Sequence, residues 1–353
     1  MKAGVQSYPA AIKGGELPSA SGSIYDRANR QLTYLRVSVT DRCNYSCHYC
    51  MPAGGWTASP RQELLSLEEI ARVVAVMATH GVKKVRITGG EPLLRKNVTD
   101  LIRWIADTPG ISEVALTTNG HLLPQFAEAL KDSGLTRLTV SVDTFDPMVF
   151  EELTGGDLGR VLRGIEEAQR VGFDNIGINV VALNKINSGR LADITRRCWS
   201  RGLTPRFIEL MPIGGLPYQQ AQHGYSYASI FDELDREFGL VETTKGAPAH
   251  GGPARYWSAS RGPWLGRQLG TISPMSDGHF CGECNRARLT ARGGFRPCLA
   301  NDEEVSLLHA LRRGDSDLQV ASLVSTAMAG KLDAHRLTDG TFIPLTVMTG
   351  IGG

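Results

Sequence analysis

From about residue 34 the apolar and polar positions of this chain alternate between two periods. "YLRVSV" (34–39) reads as a strand. "SLEEIARVVAVMATHG" (66–81) then repeats apolar residues at helical spacing, with Leu67, Ile70, Val73, Val74 and Met77 on one stripe. Ser66 and Glu69 have the spacing of a capping box at its start, and Gly81 marks its end. The succession recurs. Strands are predicted in "KKVRITG" (83–89), "EVALTTNG" (113–120), "RLTVSVD" (137–143), "IGINVVAL" (176–183) and "PRFIELM" (205–211). Helices are predicted in "VTDLIRWIADT" (98–108), "LLPQFAEALKDSG" (122–134), "GRVLRGIEEAQRVG" (159–172) and "GRLADITRRCWSRG" (189–202). Several strands are nearly continuous apolar runs, the expectation for parallel strands covered on both faces.

Six successive β-α units predict an α/β fold, an open or partial (β/α)6 barrel rather than a closed eight-unit one. After Met211 the rhythm breaks. Glycine and proline become frequent through "KGAPAHGGPARYWSASRGPW" (245–264), and helices follow in "EVSLLHALRRG" (304–314) and "DLQVASLVSTAMAG" (317–330). The expected organisation is a flexible arm over 1–30, rich in Gly, Ser and Ala, then the barrel over 31–225. A C-terminal region over 226–353 is expected to build against the barrel rather than stand free.

Composition narrows the function. With 353 residues and 42% apolar content the chain can fill a substantial core. Charged residues at 21% and a net charge of +2 exclude a chain-wide nucleic-acid surface or general disorder. No apolar run reaches the roughly 18 residues of a membrane span. Lys2 and Lys13 have no apolar segment between them, so no secretory signal is expected. Six of seven cysteines fall into two tight groups, which predicts metal ligation in a reducing cytoplasm rather than disulfides. Cys198 stands alone and reads as a small buried residue on a helix.

Cys43, Cys47 and Cys50 form C-x3-C-x2-C directly after the first predicted strand, where parallel barrels carry their chemistry. Three thiolates can hold three irons of a four-iron cluster and leave the fourth open. A zinc knuckle completed by His48 is the alternative. Cys281, Cys284 and Cys298 are spaced C-x2-C-x13-C, and zinc completed by His279 is again the alternative. "CNRARLT" between them reads as extended, so Arg286 and Arg288 share a face. Two guanidinium groups beside an open iron would receive a polyanion, whereas a solvated strand face is the plainer reading.

The C-x3-C-x2-C loop with Tyr49 before its last cysteine, followed after strand two by "TGGEP" (88–92), resembles the radical S-adenosylmethionine (SAM) superfamily. The run of "LRVSVTDRCNYSCHYCMP", "KKVRITGGEPLLRK", "TTNG", "SVD", "RFIELMPIG", "GPARYW", "FCGECNRARLT", "RPCL" and terminal "IGG" resembles the GTP 3',8-cyclase family of molybdenum-cofactor biosynthesis, over roughly residues 32 to 353. That resemblance implies two 4Fe-4S clusters, SAM and a reducing electron donor. The first cluster would lie on Cys43, Cys47 and Cys50, the second on Cys281, Cys284 and Cys298. It implies SAM contacts at Tyr49, Gly90, Ser141 and Met211. GTP contacts are implied at Arg36, Lys84, Arg86, Thr117, Arg286 and Arg288, with the basic ones converging on the barrel mouth. A tail whose Gly352 and Gly353 enter the active site is implied as well. The implied reaction is a lyase step in which a 5'-deoxyadenosyl radical takes hydrogen from C3' of GTP and the carbon radical attacks C8. The product is (8S)-3',8-cyclo-7,8-dihydroguanosine 5'-triphosphate. No nucleic-acid or membrane partner is expected, and a homodimer is left open.

Three positions depart from the family pattern: Gly177 where a lysine is usual, Arg292 where an aspartate is usual, and Thr346 where an arginine is usual. Loss of a phosphate-binding lysine would cost about 1.5–3 kcal/mol. A radical SAM paralogue acting on another nucleotide or a peptide is therefore the second reading. A non-catalytic zinc or electron-transfer protein is the reading from a different class.

Overall fold

The computed structural model describes residues 22–51, 57–213, 224–243, 252–277, 279–337 and 348–352. Six parallel strands stand side by side in chain order: β1 (Tyr34–Ser38), β2 (Lys84–Thr88), β3 (Glu113–Thr118), β4 (Arg137–Ser141), β5 (Gly177–Ala182) and β6 (Thr204–Glu209). The helices between them are α1 (Leu67–Thr79), α2 (Val98–Ala106), α3 (Leu123–Asp132), α4 (Pro147–Thr154), α5 (Leu158–Arg170) and α6 (Leu191–Trp199). The capping box of α1 forms as its spacing requires: Glu69 N donates to Ser66 Oγ at 3.1 Å, and Ser66 N donates to Glu69 Oε2 at 2.7 Å. Cys198 is fully buried on α6.

The sheet does not stop at β1 and β6. β7 (Leu240–Glu242), β8 (Arg255–Ala259) and β9 (Gln268–Ile272) extend the β6 edge, with β9 parallel to β6. β10 (Arg286–Leu289), β11 (Gly294–Arg296) and β12 (Val305–Ser306) extend the β1 edge, with β10 parallel to β1. The 12-stranded sheet runs β12-β11-β10-β1-β2-β3-β4-β5-β6-β9-β8-β7, so the barrel is partial and its free edges are β12 and β7. Among the described residues no helix is long and apolar enough to cross a membrane.

The strands differ from the expected apolar runs. Leu35 and Val37 of β1, and Val85 and Ile87 of β2, belong to the core shared with the helices. The alternate positions Arg36, Lys84, Arg86, Thr117, Ser141 and Asn179 line cavities instead. An open barrel leaves its inner face unfilled, so the two-residue period of the strand separates a greasy outside from a polar inside.

Residues 22–30 of the expected arm are packed on the fold. Ile24 and Asp26 are buried, Arg30 pairs with Asp26 at 2.7 Å, and Arg30 Nη1 donates to Cys281 O at 2.5 Å. A doubly anchored guanidinium holds this segment down. The remainder of the arm lies outside the described residues.

Candidate active site

The loop leaving β1 carries the first cysteine trio and is clamped from three sides. Ser46 N and His48 N donate to Thr154 O and Leu153 O at the end of α4, at 2.9 and 3.1 Å. Gly90 N and Glu91 N donate to Thr40 O and Arg42 O, both at 2.8 Å. A Cβ at Gly90 would sit 2.3 Å from Arg42 O, so only glycine permits this approach. Glu91 is fully buried and receives Leu93 N, Thr118 Oγ1 and Asn119 N, tying the "TGGEP" turn to the "TTNG" turn. Burial pushes its carboxyl from the usual 4.5 up to about 7 against those hydrogen bonds.

Cys43, Cys47 and Cys50 are half-buried and unbridged. Burial, followed by neighbouring acids and thiols, pushes all three thiols up, Cys50 to about 12. His48, the sequence alternative for a fourth ligand, is exposed and does not line the cavity. Tyr49 Oη donates to Asp143 Oδ2 at 2.6 Å, and Val181 N donates to Asp143 Oδ1 at 2.7 Å. Burial raises that carboxyl to about 6.

One cavity of about 340 Å3 is lined by all six clustered cysteines and by Arg36, Tyr49, Gly90, Thr117, Ser141, Met211, Arg286 and Arg288. Lys84 and Arg86 are absent from that lining. Lys84 is the first residue of β2 and Arg86 lies two further on, at the levels that strand pairing shares with Arg286 and Arg288. Lys84 and Arg86 line a smaller cavity of about 40 Å3 with Tyr34, Arg206 and Tyr256. Arg36, Thr117 and Asn179 line both cavities. Lys84 Nζ pairs with Glu113 Oε1 at 2.9 Å, and Arg86 donates to Tyr34 Oη at 2.6 Å and Thr117 Oγ1 at 3.0 Å.

Strand register explains how the cations assemble. Tyr34 stands opposite Arg286 on one side and Lys84 on the other, while Arg36 stands opposite Arg288 and Arg86. Two rungs of the barrel interior are thereby filled with positive charge. Burial and then mutual repulsion lower the guanidinium pKa of Arg36 to about 10 and that of Arg288 well below its ordinary value. Burial opposes ionisation of Tyr34, yet Arg86, Arg36 and Lys84 bring its hydroxyl down to about 7.

The helical turn Met348–Ile351 carries the tail onto these cations. Arg288 Nη1 donates to Gly352 O at 2.5 Å, and Arg36 Nη2 reaches the same carbonyl at 3.3 Å. Gly353 lies outside the described residues, as does Thr346.

In the second trio, burial disfavours the Cys284 thiolate, but Arg286 and Lys331 outweigh it and bring that thiol down to about 7. Cys298 is pushed up by burial.

The model of the radical SAM superfamily matches residues 37–198, and that of Molybdenum Cofactor Synthesis C matches residues 203–337. A GTP 3',8-cyclase of Pelotomaculum thermopropionicum is 42% identical over 316 residues, covering 89% of this chain and 96% of the relative. The chain belongs to the GTP 3',8-cyclase family. The GTP 3',8-cyclase of Agrobacterium fabrum is 38% identical over 327 residues, covering 92% of this chain and 91% of that one. Among solved structures, Streptococcus suis SuiB bound to S-adenosylmethionine shares the fold with a TM-score of 0.57 at 17% identity, covering 84% of this chain and 69% of its own.

Within the GTP 3',8-cyclase family pattern, the departures acquire physical settings. Arg292 forms a surface ion pair with Glu63 at 2.9 Å, away from the cavities. At Gly177 an added Cβ would lie 3.0 Å from Arg206 Nη2, so the Arg206 guanidinium takes the room a longer side chain would need. Arg206 also donates to Thr139 Oγ1 at 2.7 Å. Its signal was a lone cation inside the buried strand "PRFIELM". Asp143, two residues after Ser141 in "SVD", was likewise legible as a polar position on an inner face.

Proposed function

We propose that this chain is a radical SAM GTP 3',8-cyclase, acting on GTP in molybdenum-cofactor biosynthesis. The observation that carries the reading is one cavity lined by both cysteine trios together with Arg36, Arg286 and Arg288. A metal-bound radical source and a polyanion receptor would share one chamber, as a reaction on a nucleotide requires.

The donor sets suit iron–sulfur clusters. Each trio offers three soft thiols without a disulfide. Cys43, Cys47 and Cys50 would hold one 4Fe-4S cluster, and Cys281, Cys284 and Cys298 a second. Bound there with SAM, and fed an electron by a reducing donor, the first cluster would supply homolytic cleavage of the sulfonium to a carbon radical. Seven free thiols suit a reducing cytoplasm.

The chain's own residues would do the holding. Tyr49, Gly90, Ser141 and Met211 would hold SAM, with Asp143 fixing the Tyr49 hydroxyl through their 2.6 Å hydrogen bond. Arg36, Lys84, Arg86, Arg286, Arg288 and Thr117 would take the triphosphate, joined by Arg206 in the room left at Gly177. A polyanion would offset the burial, and after it the repulsion, that now lower Arg36 and Arg288. Gly352, whose carbonyl accepts from Arg288 and Arg36, would close the chamber and exclude water from the radical.

The test is anaerobic incubation of the reconstituted chain with SAM, dithionite and a panel of nucleotides, followed by chromatography and mass spectrometry. The expected result is 5'-deoxyadenosine together with a 3',8-cyclised nucleotide from GTP. Deoxyadenosine without conversion of GTP would favour a paralogue with another substrate, and absence of SAM cleavage would overturn the enzymatic reading.

A further inference from the structure

Lys331 follows the helix Asp317–Ala329 and is only 3% exposed. Its ammonium is saturated by one small neighbourhood. Lys331 Nζ donates to Arg286 O at 2.9 Å, to Cys284 O at 3.1 Å and to Cys284 Sγ at 3.4 Å. An ammonium has three protons and no acceptor, so these three partners use its whole capacity. Asp26 Oδ2 lies 3.9 Å away as counter-charge and is itself fully buried and paired with Arg30 at 2.7 Å. Arg30 in turn holds Cys281 O, so the same buried charge group grips two cysteines of the second trio.

Burying an ammonium is unfavourable unless partners replace its water. Backbone carbonyls and Asp26 would suffice for that. The contact with a cysteine sulfur is the feature that points to a ligand. Hydrogen bonds and positive charge at cluster sulfurs favour the reduced state, because reduction adds negative charge to the centre. We propose that Lys331 is a positioning residue of the second cluster site, orienting Cys284 through its sulfur and raising the reduction potential of the iron centre that this trio holds. Asp26 opposes the effect by shielding the ammonium. The inference rests on the proposal that Cys281, Cys284 and Cys298 hold a second cluster.

The experiment uses the full chain carrying Cys43→Ala, Cys47→Ala and Cys50→Ala, loaded anaerobically with iron and sulfide so that only the second trio can be filled. The midpoint potential is read by electron paramagnetic resonance during a redox titration, and iron retention by challenge with a chelator. Adding Lys331→Met is expected to move the potential to more negative values and to weaken iron retention by about 10–100-fold. Adding Asp26→Asn, which keeps the ammonium and removes its counter-charge, is expected to move the potential in the positive direction. A purely structural lysine would leave the potential unchanged when its charge is removed. If Lys331→Met does not fold, Lys331→Gln, which keeps a donor and removes the charge, is titrated in its place: a negative shift supports the role, and an unchanged or positive one overturns it. A loaded parent whose potential ignores both substitutions overturns the role of Lys331 but keeps the cluster. A parent that takes up no iron–sulfur centre overturns the second cluster, and this inference with it.

Discussion

Gly352 has a left-handed backbone (φ 76°), and a Cβ there would lie 2.3 Å from Thr88 Oγ1. Its carbonyl meanwhile accepts from Arg288 and Arg36. Alanine at this position would carry both conformational strain and a clash, which a short tail relieves by leaving the cavity. Gly352→Ala should therefore lower cyclisation at least about tenfold, equivalent to about 1.4 kcal/mol, while 5'-deoxyadenosine formation continues. The unfolding midpoint should move by about 2 °C or less, because few core contacts depend on the tail. Paired assays of deoxyadenosine and cyclised nucleotide, with a thermal melt, check both halves. At this scale the sequence was informative where spacing within one segment carries the chemistry, as in the two trios and the Arg286–Arg288 pair. It was silent on Lys331, whose partners come from strand β10 and the N-terminal segment and leave no local pattern.

Among the elements, the 3-10 turn Pro92–Leu94 after β2 depends on a single buried carboxylate. Glu91 is raised from 4.5 to about 7 in the folded chain, so the native state retains a proton that the unfolded state releases first. Stability from this group is intact below pH 4.5 and is lost as pH rises through 7, by about 3 kcal/mol. Urea unfolding of the cluster-free chain at pH 5 and pH 8 should show this slope, and Glu91→Gln should flatten it. A steeper slope in the variant would contradict the assignment. Most barrel elements were legible from period and caps. The periodic pattern does not reveal helix α4, although Asp146 caps Met148 N and Val149 N and Gly155 ends it in the left-handed region. Nor does it reveal the helix Tyr227–Phe238, with Ser226 and Gly239 at its ends. Both fall where the strand–helix alternation is interrupted, and the interruption masked good local signals.

For the molecule as a whole, the C-terminal region extends the sheet at both edges of the six-stranded core. β10 covers β1 and β9 covers β6. Residues 31–225 alone would expose two long parallel edges and lose the wall that carries Arg286 and Arg288. Such a fragment should aggregate or bind a hydrophobic dye under conditions where the full chain is monodisperse, as size-exclusion chromatography would report. A soluble, cooperatively folding fragment would show that the edges need no cover. This arrangement could not be read from hydrophobic period, because short strands among glycines and prolines reveal neither their partners nor their direction. It also sets a clock on synthesis. Tyr34 waits about 250 residues for Arg286, its partner in register. At about 5–20 residues per second, the β1 edge stays bare on the ribosome for on the order of 10–50 s. During that interval the unpaired edge of β1 is a template on which another strand could pair.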